Sequence, residues 1–96
     1  MKKIMVFMPA YNAEKTIISV LERFPKPVLK KVSEILVLDN NSRDSTYEKV
    51  LAYKRRKKLK KITILKNKEN LGYGGSKKRA FKYAIDKEYN IVVMVH

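Results

Sequence analysis

Short apolar runs alternate with segments of helical periodicity along the chain. The first run, Ile4 to Met8, is uninterrupted, which is typical of a strand buried on both faces rather than on one. After it, Asn12 is suited to cap a helix whose apolar residues recur every three or four positions. The helix ends at Pro25-Lys26-Pro27, and its apolar positions are Ile17, Ile18, Leu21 and Phe24.

The same alternation continues to the end of the chain. Three further apolar runs predict strands at Glu34 to Leu38, Ile62 to Leu65 and Ile91 to Val95. Ser45-Thr46-Tyr47-Glu48 matches a capping box at the start of a second helix. A third helix is predicted over Ser76 to Lys87, with inward positions Ala80, Phe81, Ala84 and Ile85.

This order predicts a single α/β domain over residues 1–96. Strands that alternate strictly with helices form a doubly wound, mostly parallel sheet, here of about four strands, with helices on both faces. Ligands bind such sheets beyond the carboxyl ends of the strands. The residues placed at that edge are Pro9-Ala10-Tyr11-Asn12, Asp39-Asn40-Asn41 and Lys66-Asn67.

Composition narrows the possible functions. The 96 residues include no cysteine, which excludes disulfides, thiol catalysis and cysteine-bound zinc. The apolar run near the start is shorter than an export signal needs, and nothing approaches the roughly 20 apolar residues of a membrane span. We therefore expect a cytoplasmic protein, soluble or peripheral at a membrane, whose net charge of +14 attracts polyanions.

The turn after Leu38 concentrates acid in this basic chain. Asp39 and Asp44 are two of the three aspartates, and Asp39 follows a buried strand directly. A carboxylate at that edge can accept a hydrogen bond from the imino N–H of a base or from a ribose hydroxyl, or it can bind a metal. Equally, Asp39 and Ser42 could satisfy the backbone of the turn itself, as Asx turns do. A phosphoaspartate phosphatase is disfavoured because Asn41 stands where a second aspartate is needed, and a receiver domain because Pro9-Ala10 replaces an acidic pair.

Two further segments carry candidate chemistry. Gly72-Tyr73-Gly74-Gly75 precedes the third helix and could let backbone amides approach a phosphate near Lys77 or Lys78, or it could be a simple turn. The run Lys54 to Lys61 could be a solvated helix end, or it could dock the chain on RNA or an anionic membrane. The second use defines the alternative function, a basic module without enzymatic activity.

Three segments in register resemble the family 2 glycosyltransferases of the GT-A fold, which is Rossmann-like. They are Val6 to Asn12, Ile35 to Thr46 and Asn70 to Gly75. The resemblance spans nearly the whole chain, although Asn40 stands where many members have a second acid, and Ala13 precedes Glu14 where many have the acid one position earlier.

The resemblance implies an inverting transfer from a UDP- or GDP-sugar, with this chain holding the nucleotide. Pro9, Ala10, Tyr11 and Asn12 would lie along the base, Asp39 would accept from its ring N–H, and Asn40 would support the ribose. Gly72 and Gly75 complete the implied nucleotide-binding set. A membrane-bound polyprenyl phosphate is the favoured acceptor class.

The family also implies Mg²⁺ or Mn²⁺ on an Asp-x-Asp motif, expected beyond His96. We therefore expect this chain alone to bind donor weakly, without stable metal binding and without turnover. No sequence-specific nucleic-acid binding is expected. An exposed last strand makes a homodimer a further expectation.

Overall fold

The predicted strands and helices are present, with one additional helix. A computed structural model describes residues 2–95, so His96 lies outside the described residues. The elements in chain order are β1 (Ile4–Ala10), α1 (Ile17–Glu22), α2 (Lys26–Lys31), β2 (Glu34–Asp39), α3 (Thr46–Lys57), β3 (Ile62–Lys66), α4 (Gly72–Asp86) and β4 (Ile91–Met94). No helix within these residues is long and apolar enough to cross a bilayer.

The strands form one parallel sheet in the order β3-β2-β1-β4. The chain moves outward from β1 to β3 and then returns past β1 to place β4, so the winding direction reverses between β1 and β4. Ligand crevices of doubly wound sheets form at the carboxyl side of this point. The predicted fold class is confirmed.

Pro9 ends the pairing of β1 with β4. Successive residues of a strand hydrogen-bond alternately to the neighbouring strand on one side and on the other. Phe7 O accepts from Val95 N at 2.9 Å, so the backbone groups of Phe7 face β4. Pro9 lies two residues further on and therefore also faces β4. Proline has no N–H with which to continue that ladder. Pairing stops at Phe7 and Met94, while β1 remains paired with β2 as far as Ala10 and Asp39.

Successive residues of the central strands face opposite sides of the sheet and supply two cores. Val6 and Met8 pack with α1 and α3, whereas Met5 and Phe7 pack with Ala80 and Ala84 of α4. This is why the runs in β1 and β2 are apolar without interruption. The predicted placement of helices on both faces is confirmed.

Two helix starts differ from expectation. Pro27 was predicted to end a helix, and it does lie beyond α1, but it also occupies the first turn of α2, where its missing N–H costs nothing. Helix α4 begins at Gly72 instead of Ser76, so the glycine-rich segment forms its first turn.

Of the four α4 residues predicted to face inward, Ala80 and Ala84 do so, but the prediction is wrong for Phe81 and Ile85. Phe81 and Ile85 are 41% and 75% exposed, while Ser76, Ala80 and Ala84 face the sheet. Small residues every fourth position let the helix backbone lie close to β1 and β2. The larger apolar side chains are consequently left on the outside.

At the amino end of β2, Glu34 joins the sheet to α4 and to the residues that follow this helix. Its carboxylate is 7% exposed and accepts hydrogen bonds from the hydroxyls of Thr63 and Tyr83, each at 2.5 Å, and from Tyr89. The Lys87 ammonium lies 3.7 Å away. Burial would raise the pKa of Glu34, but these hydroxyls and the ammonium outweigh it and hold the pKa below its usual range.

We predict that Glu34 makes stability fall in acid. Because its folded pKa is lowered, its contribution is complete above the unfolded pKa of about 4.3 and is lost as the pH falls through the folded value. Glu34→Gln should cost about 1–3 kcal/mol near pH 7 and flatten the curve of unfolding free energy between pH 5 and 3. Denaturant melts across this range measure it, with exposed Glu88→Gln as the control. Equal curves for Glu34→Gln and the wild type would contradict the assignment.

Candidate functional site

A cavity of about 420 Å³ opens at the carboxyl edge of the sheet, where the winding direction reverses. Its lining residues come from the end of β1, the loops after β2 and β3, and the first turns of α4. They are Pro9, Ala10, Tyr11, Asn40, Asn70, Gly72, Tyr73 and Ser76.

The loop after β1 is tied to the loop after β2 by reciprocal hydrogen bonds. Asn12 N donates to Ser42 Oγ at 2.8 Å, and Asn12 Oδ1 accepts from Arg43 N at 2.9 Å. Asn12 has a φ of +47° and lies in this loop, so its predicted role as a helix cap is wrong. It holds the two loops together from outside the cavity lining.

Two acids complete this loop connection. Asp44 Oδ2 accepts from Glu14 N at 3.2 Å, and Glu14 Oε2 accepts from Ser45 N at 3.2 Å. Burial raises the pKa of Asp44, but hydrogen bonds from Thr46 and from the Glu14 amide outweigh it and hold the pKa below its usual range. The predicted capping box is wrong in its partner, because Glu14 rather than Glu48 takes the Ser45 amide, and Ser45 makes no side-chain cap bond.

Asp39 lies beneath the cavity and has no exposed surface. Its carboxylate accepts from Ser42 N at 3.2 Å and from the Ser42 hydroxyl. Its backbone carbonyl accepts from Asn67 N at 2.8 Å. In this structure Asp39 therefore makes the Asx-type turn that the sequence allowed as the second interpretation.

The neighbouring side chain, Asn40, reaches the cavity and organises it. Its Oδ1 accepts from the backbone N–H of Leu71 and from Asn67 Nδ2, both at 2.9 Å, and its Nδ2 donates to Asn70 Oδ1 at 2.9 Å. A backbone N–H can only donate, so the bond from Leu71 fixes which end of the Asn40 amide is oxygen. The second Asn40 N–H has no partner among residues 2–95.

This network continues into α4. Asn67 Nδ2 also donates to Ser76 Oγ at 3.0 Å, and Asn67 Oδ1 accepts from Arg79. Asn70 Oδ1 accepts from Gly72 N at 2.7 Å. The exits of β2 and β3 and the start of α4 are thus held as one unit around the cavity.

The two glycines predicted for the site have different surroundings. Gly72 has a φ of +72°, a conformation that favours glycine, and it lines the cavity. Gly75 is outside the lining, and a Cβ added to it would lie 2.7 Å from Leu71 Cβ. Gly75 therefore permits close packing within the first turn of α4.

Two tyrosines offer aromatic surface at the cavity. Tyr11 is 47% exposed and Tyr73 is 51% exposed, although the Tyr73 hydroxyl donates to Met94 Sδ at 3.2 Å. Exposed rings at a cavity wall can stack on a planar heterocycle. The sequence did not identify Tyr73, Asn70 or Ser76 as site residues, although the first two lie within the glycine-containing motif.

The chemistry of the lining is that of a binding site. Among residues 2–95 it contains aromatic rings, two side-chain amides, the hydroxyls of Tyr11, Tyr73 and Ser76 and backbone groups, but no carboxylate, histidine or lysine. Within residues 2–95 no three histidines, cysteines or acids come together as metal ligands.

Of the eight residues predicted to bind a nucleotide, five line the cavity: Pro9, Ala10, Tyr11, Asn40 and Gly72. Asn12, Asp39 and Gly75 do not belong to the lining. No ligand contact tests any of these roles, so the nucleotide-binding set stays a prediction.

The comparisons with known proteins agree with this geometry. The chain is 37% identical over 81 residues to dolichyl-phosphate beta-glucosyltransferase of Dictyostelium discoideum, an alignment that covers 77% of this chain and 25% of that protein. The chain thus spans about a quarter of the length of this relative.

Solved structures show the same fold. The S. aureus TarS fragment 1-349, in complex with UDP, is 32% identical and superposes with a TM-score of 0.72 over 97% of this chain and 26% of its own. GalNAc-T7 with UDP, GalNAc and Mn²⁺ is 17% identical, with a TM-score of 0.61 over 85% of this chain and 15% of its own, and shares the fold.

The sequence model of one family spans nearly the whole chain. The model described as Glycosyl transferase family 2 matches residues 5–95, which include both loops and all eight lining residues of the cavity. The chain belongs to glycosyl transferase family 2.

Proposed function

We propose that this chain holds the donor nucleotide of an inverting glycosyltransferase. The UDP or GDP of a nucleotide-sugar would occupy the cavity of about 420 Å³ lined by Asn40, here called the Asn40 cavity. One observation carries the proposal: the cavity lies at the carboxyl edge where the winding reverses, and its lining combines the Asn40 amide with two exposed tyrosines. Family membership and the UDP complex of TarS support it.

The base would lie on Pro9, Ala10 and Tyr11. Stacking on an aromatic ring is worth about 1–3 kcal/mol for a base, and it is tolerant of which base is bound. The Asn40 amide would donate its second N–H to a carbonyl oxygen of the base or to a ribose oxygen, because both are hydrogen-bond acceptors. Asp39 then acts by positioning Asn40 and the turn, rather than by touching the base.

The diphosphate would lie toward the start of α4. The Leu71 and Gly72 amides already donate to Asn40 and Asn70, but the amides that follow them and the positive dipole end of the helix favour an anion. Gly72 leaves the backbone uncovered by a side chain. Lys77 and Lys78 follow in the same helix. This arrangement supports a donor whose phosphates point from Asn40 to α4.

We propose a polyprenyl phosphate as the acceptor class, in a cytoplasmic protein that contacts the membrane peripherally. The relative from Dictyostelium discoideum is named for dolichyl phosphate, which is such a lipid. Mg²⁺ or Mn²⁺ belongs to the proposed complete domain, as the Mn²⁺ in GalNAc-T7 illustrates. In this proposal the described residues form the nucleotide pocket, and no group of three possible metal ligands is found among residues 2–95.

We predict that Tyr11→Ala weakens UDP binding at least about fivefold, because loss of one stacking contact removes at least ~1 kcal/mol. Isothermal titration calorimetry with UDP and GDP measures the change. Phe81→Ala is the matched control, since Phe81 is also exposed but lies outside the cavity. Equal affinities for Tyr11→Ala, Phe81→Ala and the wild type would contradict base stacking on Tyr11.

Asp39 and Asn40 should separate stability from binding. Asp39→Asn should lower the melting temperature but leave the UDP affinity of the folded protein within about twofold. A neutral amide accepts less strongly than a carboxylate from the Ser42 N–H, and it offers an NH2 group in place of one of the two oxygens that accept from Ser42. Asn40→Ala should lower both, with a threefold to tenfold loss of affinity expected for about one hydrogen bond. A larger loss of affinity for Asp39→Asn than for Asn40→Ala would instead make Asp39 the base contact.

Mn²⁺ should change the UDP affinity of this chain by no more than about twofold, because an ion held on the diphosphate finds no acidic side chain in the cavity lining. Titrations with and without Mn²⁺, repeated with uridine to remove the diphosphate, measure the effect. A tenfold gain for UDP that EDTA reverses would contradict it.

A further inference from the structure

A second and larger cavity, of about 650 Å³, opens at the opposite end of the sheet. It lies at the amino ends of β2 and β3, between the α1–α2 region and the end of α3, and shares no lining residue with the Asn40 cavity. Its volume falls within the roughly 300–1,000 Å³ typical of small-molecule sites. Its apolar walls are formed by Leu21, Phe24, Leu29, Ile35, Leu59 and Ile62.

The mouth of this cavity is cationic. Five exposed lysines belong to its lining, namely Lys26, Lys30, Lys58, Lys60 and Lys61, against a single acid, Glu22. Lys61 Nζ donates to Leu29 O at 2.6 Å, which joins α2 to the start of β3 across the mouth. We refer to this site as the lysine-rimmed cavity.

Apolar walls below a cationic rim select for one class of ligand. A free phosphate or a nucleic acid would pair with the lysines but would leave the apolar walls wet, whereas an amphiphile covers them with its chain. The basic surface also extends beyond the rim along the exposed Arg55, Arg56 and Lys57 at the end of α3. That is more positive charge than one head group needs, and it matches the extended negative surface of an anionic bilayer.

We propose that the lysine-rimmed cavity docks this chain on anionic membrane, with the acyl chain of an anionic phospholipid against its apolar walls and head groups on its lysines. The two contacts act together. The lysines attract the anionic membrane surface, and the apolar walls then bind the acyl chain of a phospholipid. The site is independent of the Asn40 cavity, which lies at the other edge of the sheet.

Vesicle binding tests the charges. The full chain is titrated with vesicles of equal parts phosphatidylglycerol and phosphatidylcholine, and with phosphatidylcholine alone, at about 0.15 M salt. We expect binding only to the anionic vesicles. Replacing Lys30 and Lys60 by glutamine should weaken it about 25-fold, from roughly fivefold for each lysine. The control replaces exposed Lys15 and Lys68 by glutamine, which changes the net charge equally at the carboxyl edge and should weaken binding much less.

Filling the cavity tests the acyl chain. Leu29→Trp and Leu59→Trp each place a larger side chain into the cavity from a half-buried position. Each should weaken anionic-vesicle binding severalfold while leaving all lysines in place. Two separate variants are used so that one that fails to fold, as judged by thermal melting, does not leave the question open.

Three results would overturn the proposal. They are no binding to anionic vesicles, equal losses for the two lysine pairs, and no loss when the cavity is filled in a folded variant. Binding of single-stranded RNA that depends on Lys30 and Lys60, with vesicle binding insensitive to cavity filling, would show an electrostatic nucleic-acid surface instead. UDP titration of the Lys30 and Lys60 variant should be unchanged, so failure here is distinguishable from failure of the nucleotide site.

Discussion

The side-chain amide of Asn40 is the constraint on which the carboxyl edge of the sheet depends. Three segments that leave the sheet separately would each expose polar groups at this edge, and buried polar groups need partners. Asn40 pairs with the Leu71 amide, with Asn67 and with Asn70, and so fixes the exits of β2 and β3 against the start of α4. The cavity keeps its shape because these partners lock one another, and a preformed site loses less entropy when a ligand binds.

Acidic side chains of the turn after β2 and of the loop after β1 hydrogen-bond to the backbone of these two segments. Asp39 closes its own turn on Ser42, and Asp44 and Glu14 exchange hydrogen bonds with each other's loops. Each of these carboxylates satisfies backbone N–H groups that no regular element can pair. In this structure the acids therefore hydrogen-bond within the loops, and the amide of the neighbouring Asn40 belongs to the cavity lining.

The strands and the winding were predictable because central parallel strands are buried on both faces, which leaves an unmistakable apolar run. The buried face of α4 could not be predicted in the same way. Phe81 and Ile85 are four residues apart, as are the buried Ala80 and Ala84, so helical spacing does not tell which pair faces the sheet. Close contact between the helix and the sheet favours the smaller pair. In the site, the segments were predictable and the individual roles were not. Asp39 and Asn40 are adjacent, and which of them turns toward the cavity is set by Ser42 and Leu71, whose positions depend on the loops.

The fold also makes the surface more basic than the composition implies. Of the 9 acids, Glu14, Glu34, Asp39 and Asp44 accept hydrogen bonds within the fold, and Glu34 and Asp39 are buried, whereas the lysines and arginines remain largely exposed. These four carboxylates hydrogen-bond within the fold, where they stabilise the loops and the amino end of β2. The positive charge left outside favours anionic ligands at both ends of the sheet. What distinguishes the two cavities is the rest of their lining: rings and amides suit a nucleotide at one end, and apolar walls suit a lipid chain at the other.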